Sequence, residues 1–297
     1  MIITKDYVLL NFPKTGSTFV RETLKELYYR RGGLVNKLAL ATGLDKWQPM
    51  QKALSAESRL ETFLVKRNIK SNNHFEELWL PIAYDAQYIS GVTEERKYIH
   101  GIFSQIPVQH RQKPILGIIR NPYDRVVSMY EYRAWARFPY DNTGALREEY
   151  PQFPNLNFEE YFEMATKYGL RSLTKHKTIK ADVGMQTLSF IKFYYENPDE
   201  IFEKLTDEYI DSGEFMNDLP KNITFLRTEN LNQELYDFLR NHNHSEKELR
   251  FILEKAKINV TKSRKKKKWE TYFSPEMKAK IRHRDRMWFM LFPEYDE

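Results

Sequence analysis

Two short apolar runs, Tyr7 to Phe12 and Pro114 to Ile119, each pass through a few polar residues directly into a helical pattern. Strand-sized apolar segments that alternate with helices commit a chain to an α/β fold, because each strand and the helix after it bury one another's apolar faces. In the first unit Val20, Leu24, Leu27 and Tyr28 recur at i, i+4, i+7 and i+8, and Gly32-Gly33 closes the helix. In the second, Ile115 to Ile119 is the strand, Asn121 the N-cap and Pro122 the first helical residue. Val126, Val127 and Tyr130 form the buried face of that helix. Asn222 to Thr228 reads as a further strand, followed by a helix carrying Leu231, Leu235, Phe238 and Leu239. Helical patterns also cover 158–168 and 184–205, residues 36–80 read as helical and irregular, and Phe138 to Phe158 reads as a surface insertion. The expectation is one α/β domain over residues 1–297, with a central, mainly parallel sheet flanked by helices.

The absence of cysteine from the 297 residues removes disulfides, thiol nucleophiles and Cys-ligated zinc. The seven histidines form no HExxH pattern, and His242 and His244 sit in a polar stretch that reads as a solvated loop, so no metal is expected. No apolar run approaches the roughly 18 residues of a membrane-spanning helix, so no transmembrane segment is expected. Met1 to Asp6 lacks a basic region followed by an apolar one, which argues against a secretory signal and makes the cytoplasm the expected location.

Charge is uneven along the chain. Asn259 to Arg286 holds 11 Lys or Arg against three acids, a local +8, so the remainder carries −2 of the net +6. One basic surface implies an anionic partner such as phosphate, sulfate, nucleic acid or acidic lipid.

The segment with the most chemistry is Phe12-Pro13-Lys14-Thr15-Gly16-Ser17-Thr18, between a strand and a helix. Backbone N–H groups at a helix start attract anions, glycine lets a phosphate approach the backbone, and Thr15, Ser17 and Thr18 add hydroxyls. Glu22 lies one residue too far from Thr18 for a capping box, which leaves the helix-start donors for a ligand. On this segment alone, a phosphate loop and an ordinary loop with a Ser/Thr cap fit equally. It is not the GxxxxGK[ST] loop of common ATPases and GTPases, because Lys14 precedes the segment's glycine, Gly16.

In the second unit Arg120 follows the strand end, where α/β folds bind ligands, and Ser128 lies on the next helix with Arg125 three residues before it. An arginine and a hydroxyl there suit a second phosphate. Taken alone, an Arg120 paired with a carboxylate and a buried Ser128 is the simpler reading.

Together the two units resemble the sulfotransferases that use 3′-phosphoadenosine 5′-phosphosulfate (PAPS). Lys14-Thr15-Gly16-Ser17-Thr18 is similar to that family's 5′-phosphosulfate loop. Arg120-Asn-Pro-x-x-Arg125-x-x-Ser128-x-Tyr130 is similar to its 3′-phosphate motif, with the same eight-residue spacing from Arg120 to Ser128. The resemblance is strongest over 7–31 and 98–135, and Phe225 to Leu231 with the aromatic, basic C-terminus extends it toward the carbohydrate-type branch. It implies a sulfotransferase fold with a P-loop-like phosphosulfate loop after the first strand. It also implies sulfuryl transfer from PAPS to a hydroxyl of a carbohydrate or glycoconjugate, which an anionic acceptor would also suit, releasing adenosine 3′,5′-bisphosphate (PAP) without a metal. Lys14 would stabilise the leaving phosphate oxygen, Thr15 to Thr18 would hold the 5′-phosphate, and Arg120 and Ser128 the 3′-phosphate.

For the acceptor proton, Tyr98-Ile-His100-Gly101-Ile102 resembles the His-Gly-His segment of some glycan sulfotransferases, with Ile102 in place of the second histidine. His100 is therefore the expected base, with Glu131 as the alternative; His110, in a Gln/Arg/Lys-rich turn, is expected to face solvent. The run Arg264 to Lys268 reads as a solvated charge run, as a lid in which Arg264 or a neighbouring lysine reaches the 3′-phosphate and Trp269 and Tyr272 pack on adenine or a sugar ring, or as an attractor of acidic glycans. Family analogy favours the lid. Two other classes are a kinase-like nucleotide phosphotransferase and, using the +8 segment, a nucleic-acid-binding module. The missing Walker order weighs against the first, and no RNA-binding signature accompanies the second, so no nucleic-acid partner is expected.

Overall fold

The computed structural model describes residues 1–31, 38, 41–42, 75–84, 89, 91–93, 97–140, 144–173, 179–256 and 268–296. The expected helix stop at Gly32-Gly33, most of the 36–80 stretch, and Arg264 with its run through Lys267 lie outside the described residues. The strands are β1 (Ile2–Thr4), β2 (Val8–Leu9), β3 (Phe75–Glu77), β4 (Leu80–Pro81), β5 (Lys97–Tyr98), β6 (Ile115–Ile119) and β7 (Ile223–Arg227). The helices begin with α1 (Ser17–Arg31), α2 (Pro122–Tyr132), α3 (Ala134–Arg137), α4 (Ala145–Glu149), α5 (Phe158–Tyr168), α6 (Met185–Tyr194) and α7 (Pro198–Lys204). They continue with α8 (Asp207–Asp211), α9 (Phe215–Asp218), α10 (Leu231–Arg240), α11 (Glu246–Glu254), α12 (Pro275–Arg284) and α13 (Arg286–Leu291). Two compact units divide the chain: Met1–Trp79, Pro107–Ile119 and Asn222–Asn259 form one, and Leu80–Ile106, Arg120–Lys221 and Val260–Glu297 the other.

The first unit holds a five-stranded sheet in the order β3-β1-β2-β6-β7. β2, β6 and β7 are parallel, with Val8 opposite Ile115 and Ile119 opposite Arg227. β1 is antiparallel to both of its neighbours, so the sheet is mixed rather than mainly parallel as expected. The cause is a tight reversal at Thr4, whose Oγ1 accepts the Tyr7 N–H at 3.0 Å and donates to the Tyr7 carbonyl at 2.8 Å. That turn folds Ile2 and Ile3 back onto Leu9 and Val8.

One face of the sheet is packed by α1, α10 and α11. Leu9, Leu116, Ile118 and Leu226 meet Val20, Leu24, Leu27, Leu235, Leu239, Leu249 and Ile252 in one buried cluster. Each leucine buried this fully contributes about 1.5–3 kcal/mol. The expected apolar faces of α1 and α10 are the ones buried, and all five β6 residues are buried, as the unbroken apolar run requires.

In the second unit, Asn121 caps α2 by accepting the Tyr123 and Asp124 N–H groups at 3.0 and 3.2 Å, and Pro122 opens the helix, both as expected. The pattern over 184–205 is two helices, because Pro198 ends the α6 path and restarts it at the first position of α7. Phe138 to Phe158 is not a surface insertion: among its described residues Leu146, Phe153 and Leu156 are buried, and α4 lies within it. Trp135 stacks on Tyr130 and meets Phe153 edge-on, which anchors this segment. Gly184, which precedes α6, leaves no room for a Cβ because the Asp285 carboxylate lies against it. Among the described residues no helix is long and apolar enough to cross a membrane.

Candidate functional site

The loop after β2 is held in an unusual backbone shape. Lys14 has φ of 66° and Gly16 φ of 83°, two left-handed residues in three. For Lys14 this costs roughly 1–2 kcal/mol, and such strain gathers where a loop must present its backbone to a ligand. Gly16 is required twice over: its φ suits glycine, and a Cβ there would lie 3.0 Å from Leu231 Cδ2 and 3.4 Å from Thr228 Cγ2.

The loop's hydroxyls act mostly on the loop itself. Thr15 Oγ1 and Ser17 Oγ both donate to the Phe12 carbonyl, at 2.8 and 3.1 Å. Both residues are buried, whereas Lys14 and Thr18 are half-buried. The first turn of α1 carries no acid, so its N-terminal end keeps its attraction for anions.

Three strand ends converge here. The loop leaves the carboxyl end of β2, Ile119 is the carboxyl end of β6, and Thr228 follows β7. Thr228 Oγ1 lies 2.6 Å from the Thr15 carbonyl and 2.7 Å from the Ile119 carbonyl. Among the described residues, the chain from β2 next enters the sheet at β3, on one side; from β6 it goes to β7, on the other. The β2/β6 pair is therefore a topological switch point, where open α/β sheets bind ligands at the carboxyl ends of their strands.

In the second unit Arg120 pairs with Asp124, Nε at 2.7 Å and Nη2 at 2.6 Å from the same Oδ2. Arg120, Asp124 and the half-buried Ser128 follow one another at four-residue intervals, which places Asp124 and Ser128 on one face of α2. Arg125 is turned elsewhere. It is fully buried and donates to Gln186 of α6, and burial pulls its guanidinium below the usual range, against the pull of the Tyr84 and Tyr194 hydroxyls and of Asp285.

No family model and no curated protein matches this chain. The reading of its chemistry therefore stands on its residues.

His100, two residues after β5, is half-buried. Glu131, the alternative base, accepts the Tyr272 hydroxyl at 2.6 Å. His110 does not face solvent as expected: it is half-buried, with both ring nitrogens shielded. Nor is His242 a solvated loop residue, since its ring stacks on Phe238 at 4.0 Å and its Nδ1 lies 2.6 Å from the Phe238 carbonyl. Trp269 stacks on Tyr123, with centroids 5.1 Å apart and planes 8° from parallel, so that face of the indole is taken up within its own unit. Among the described residues no group of three or more His, Asp or Glu could hold a metal.

Two contributors were not singled out from sequence. Asp124 orients Arg120, and its signal was the i, i+4 spacing of opposite charges. Thr228, within the Phe225 to Leu231 segment, bonds the Thr15 loop and the Ile119 end of β6, and no local pattern marks those two partners.

Proposed function

We propose that this chain is a PAPS-dependent sulfotransferase acting on a hydroxyl of a carbohydrate or glycoconjugate. The observation that carries the reading is the Lys14–Gly16 turn: two positive φ angles at the carboxyl end of β2, leading into a helix start without acids. The donor is a co-substrate with two anionic ends, and it supplies an activated sulfuryl group whose leaving group is the 5′-phosphate of PAP.

The turn fits the 5′ end. Because Thr15 and Ser17 direct their hydroxyls to Phe12, backbone N–H groups and Thr18 are the donors left to the phosphate. Lys14 brings an ammonium to the leaving oxygen, where charge develops in the transition state. Arg120, oriented by Asp124, and Ser128 fit the 3′-phosphate, and Arg264 completes that set in the lid reading.

Transfer forms a bond from the acceptor oxygen to sulfur and breaks the bond from sulfur to the bridging phosphate oxygen, which keeps the electron pair. His100 takes the acceptor proton, as a histidine does near neutral pH. The residues present meet these needs without a metal ligand set being called on. The test is nucleotide binding: PAP should bind without a divalent metal, and AMP, which lacks the 3′-phosphate, should bind far more weakly.

A further inference from the structure

Resting on the sulfotransferase reading, we propose that Thr228 is a positioning residue for the donor, its hydroxyl holding the Lys14–Ser17 turn in the shape that receives the 5′-phosphate.

Three observations converge on it. First, Oγ1 of Thr228 reaches the carbonyls of Thr15 and Ile119, at 2.6 and 2.7 Å, with one hydroxyl hydrogen between them. Thr15 and Ile119 are both fully buried, so water does not readily replace that hydrogen. Second, the turn it holds is strained at Lys14, and strained backbone persists only where its surroundings over-determine it. Thr15 and Ser17 brace the turn from within through Phe12, while Thr228 braces it from the far side, 213 residues along the chain. Third, the Thr228 methyl and Leu231 occupy the space a Cβ on Gly16 would need, so the β7–α10 junction is the surface on which the turn sits.

The physical consequence is selective. Without the hydroxyl, the Thr15 carbonyl loses its partner and the turn relaxes, which removes aligned backbone N–H groups from the 5′-phosphate. The second acceptor, the Ile119 carbonyl, lies one residue before Arg120, but the hydroxyl bonds neither the Arg120 nor the Ser128 side chain assigned to the 3′-phosphate, so the larger loss falls at the 5′ end.

The experiment titrates PAP and adenosine 3′-monophosphate, which lacks the 5′-phosphate, into wild type, Thr228→Val and Thr228→Ser. Thr228→Val keeps the shape without the hydroxyl and should weaken PAP about tenfold while changing adenosine 3′-monophosphate by less than about twofold. Thr228→Ser should restore PAP affinity. If Thr228→Val does not fold, Thr228→Ala against Thr228→Ser makes the same comparison. PAP binding that is unchanged in the valine variant, or equal weakening of both ligands, overturns the proposal while leaving the sulfotransferase reading intact. A wild-type chain that does not bind PAP overturns that reading and this proposal with it.

Discussion

Arg120 and Asp124 stand one helical turn apart with two guanidinium nitrogens, Nε and Nη2, on a single carboxylate oxygen. Their side chains are only 13% and 21% exposed, so the pair is shielded enough to fix the direction of the guanidinium rather than merely screen its charge. An arginine held this way is pre-organised for a phosphate. Arg120→Ala should weaken PAP by about 10–100-fold, the value of one or two charged hydrogen bonds, with little effect on AMP. Titration calorimetry with both nucleotides checks this, and equal losses for the two would remove Arg120 from the 3′-phosphate.

Gly16 offers a test that does not depend on catalysis. Gly16→Ala puts a side chain at φ 83°, against Leu231. Urea unfolding should show a loss of about 1–2 kcal/mol from the left-handed backbone alone. PAP binding should fall as well, because the turn can relieve the strain only by changing shape. Unchanged stability would mean that the turn is soft and that its φ values carry no constraint.

Lys14 and His100 should separate binding from chemistry. Lys14→Ala should fold normally and lose turnover with PAPS. His100→Ala should bind PAP as wild type does and slow transfer by about 10²–10⁴-fold. Rates near wild type in either variant would reassign that residue's role.

Asp285 makes stability depend on pH in a direction opposite to that of most carboxylates. It accepts the Thr187 amide hydrogen at 2.8 Å at the start of α6. Burial pushes its carboxyl up to about 6, against the pull of the Thr187 hydrogen bonds and of Arg284 and Arg125. Unfolded, it titrates near about 3.9, so between these values the folded state holds the extra proton. Its contribution is complete below about pH 4 and is lost as pH rises through about 6. The melting temperature of wild type, relative to Asp285→Asn, should therefore rise as pH is lowered from about 7 to about 5. A gap independent of pH would show that the carboxyl does not titrate in that range.

What the sequence disclosed was local. The Asn121–Pro122 start of α2 and the Leu231, Leu235, Phe238 and Leu239 face of α10 are set within a few residues, and both are present. The antiparallel edge was hidden because Ile2 to Thr4 is too short for a periodicity and the Thr4 turn has no glycine or proline to announce it. Arg125 reads like a ligand arginine within its motif, yet its partner Gln186 is 61 residues away and takes it into the interior. Thr228 was missed for the same reason: its work is done on a loop at the other end of the chain. Buried polar partnerships of this kind depend on tertiary placement, which no local window contains.

The most direct measurement is thermal unfolding of the wild-type chain with PAP, AMP and Mg-ATP side by side. A ligand that binds the native state raises its stability by about 2.7 kcal/mol at a hundred times its dissociation constant. Stabilisation by PAP without metal, with AMP far less effective, is the predicted result. Stabilisation by Mg-ATP but not by PAP would contradict the sulfotransferase assignment and direct the search to phosphoryl transfer.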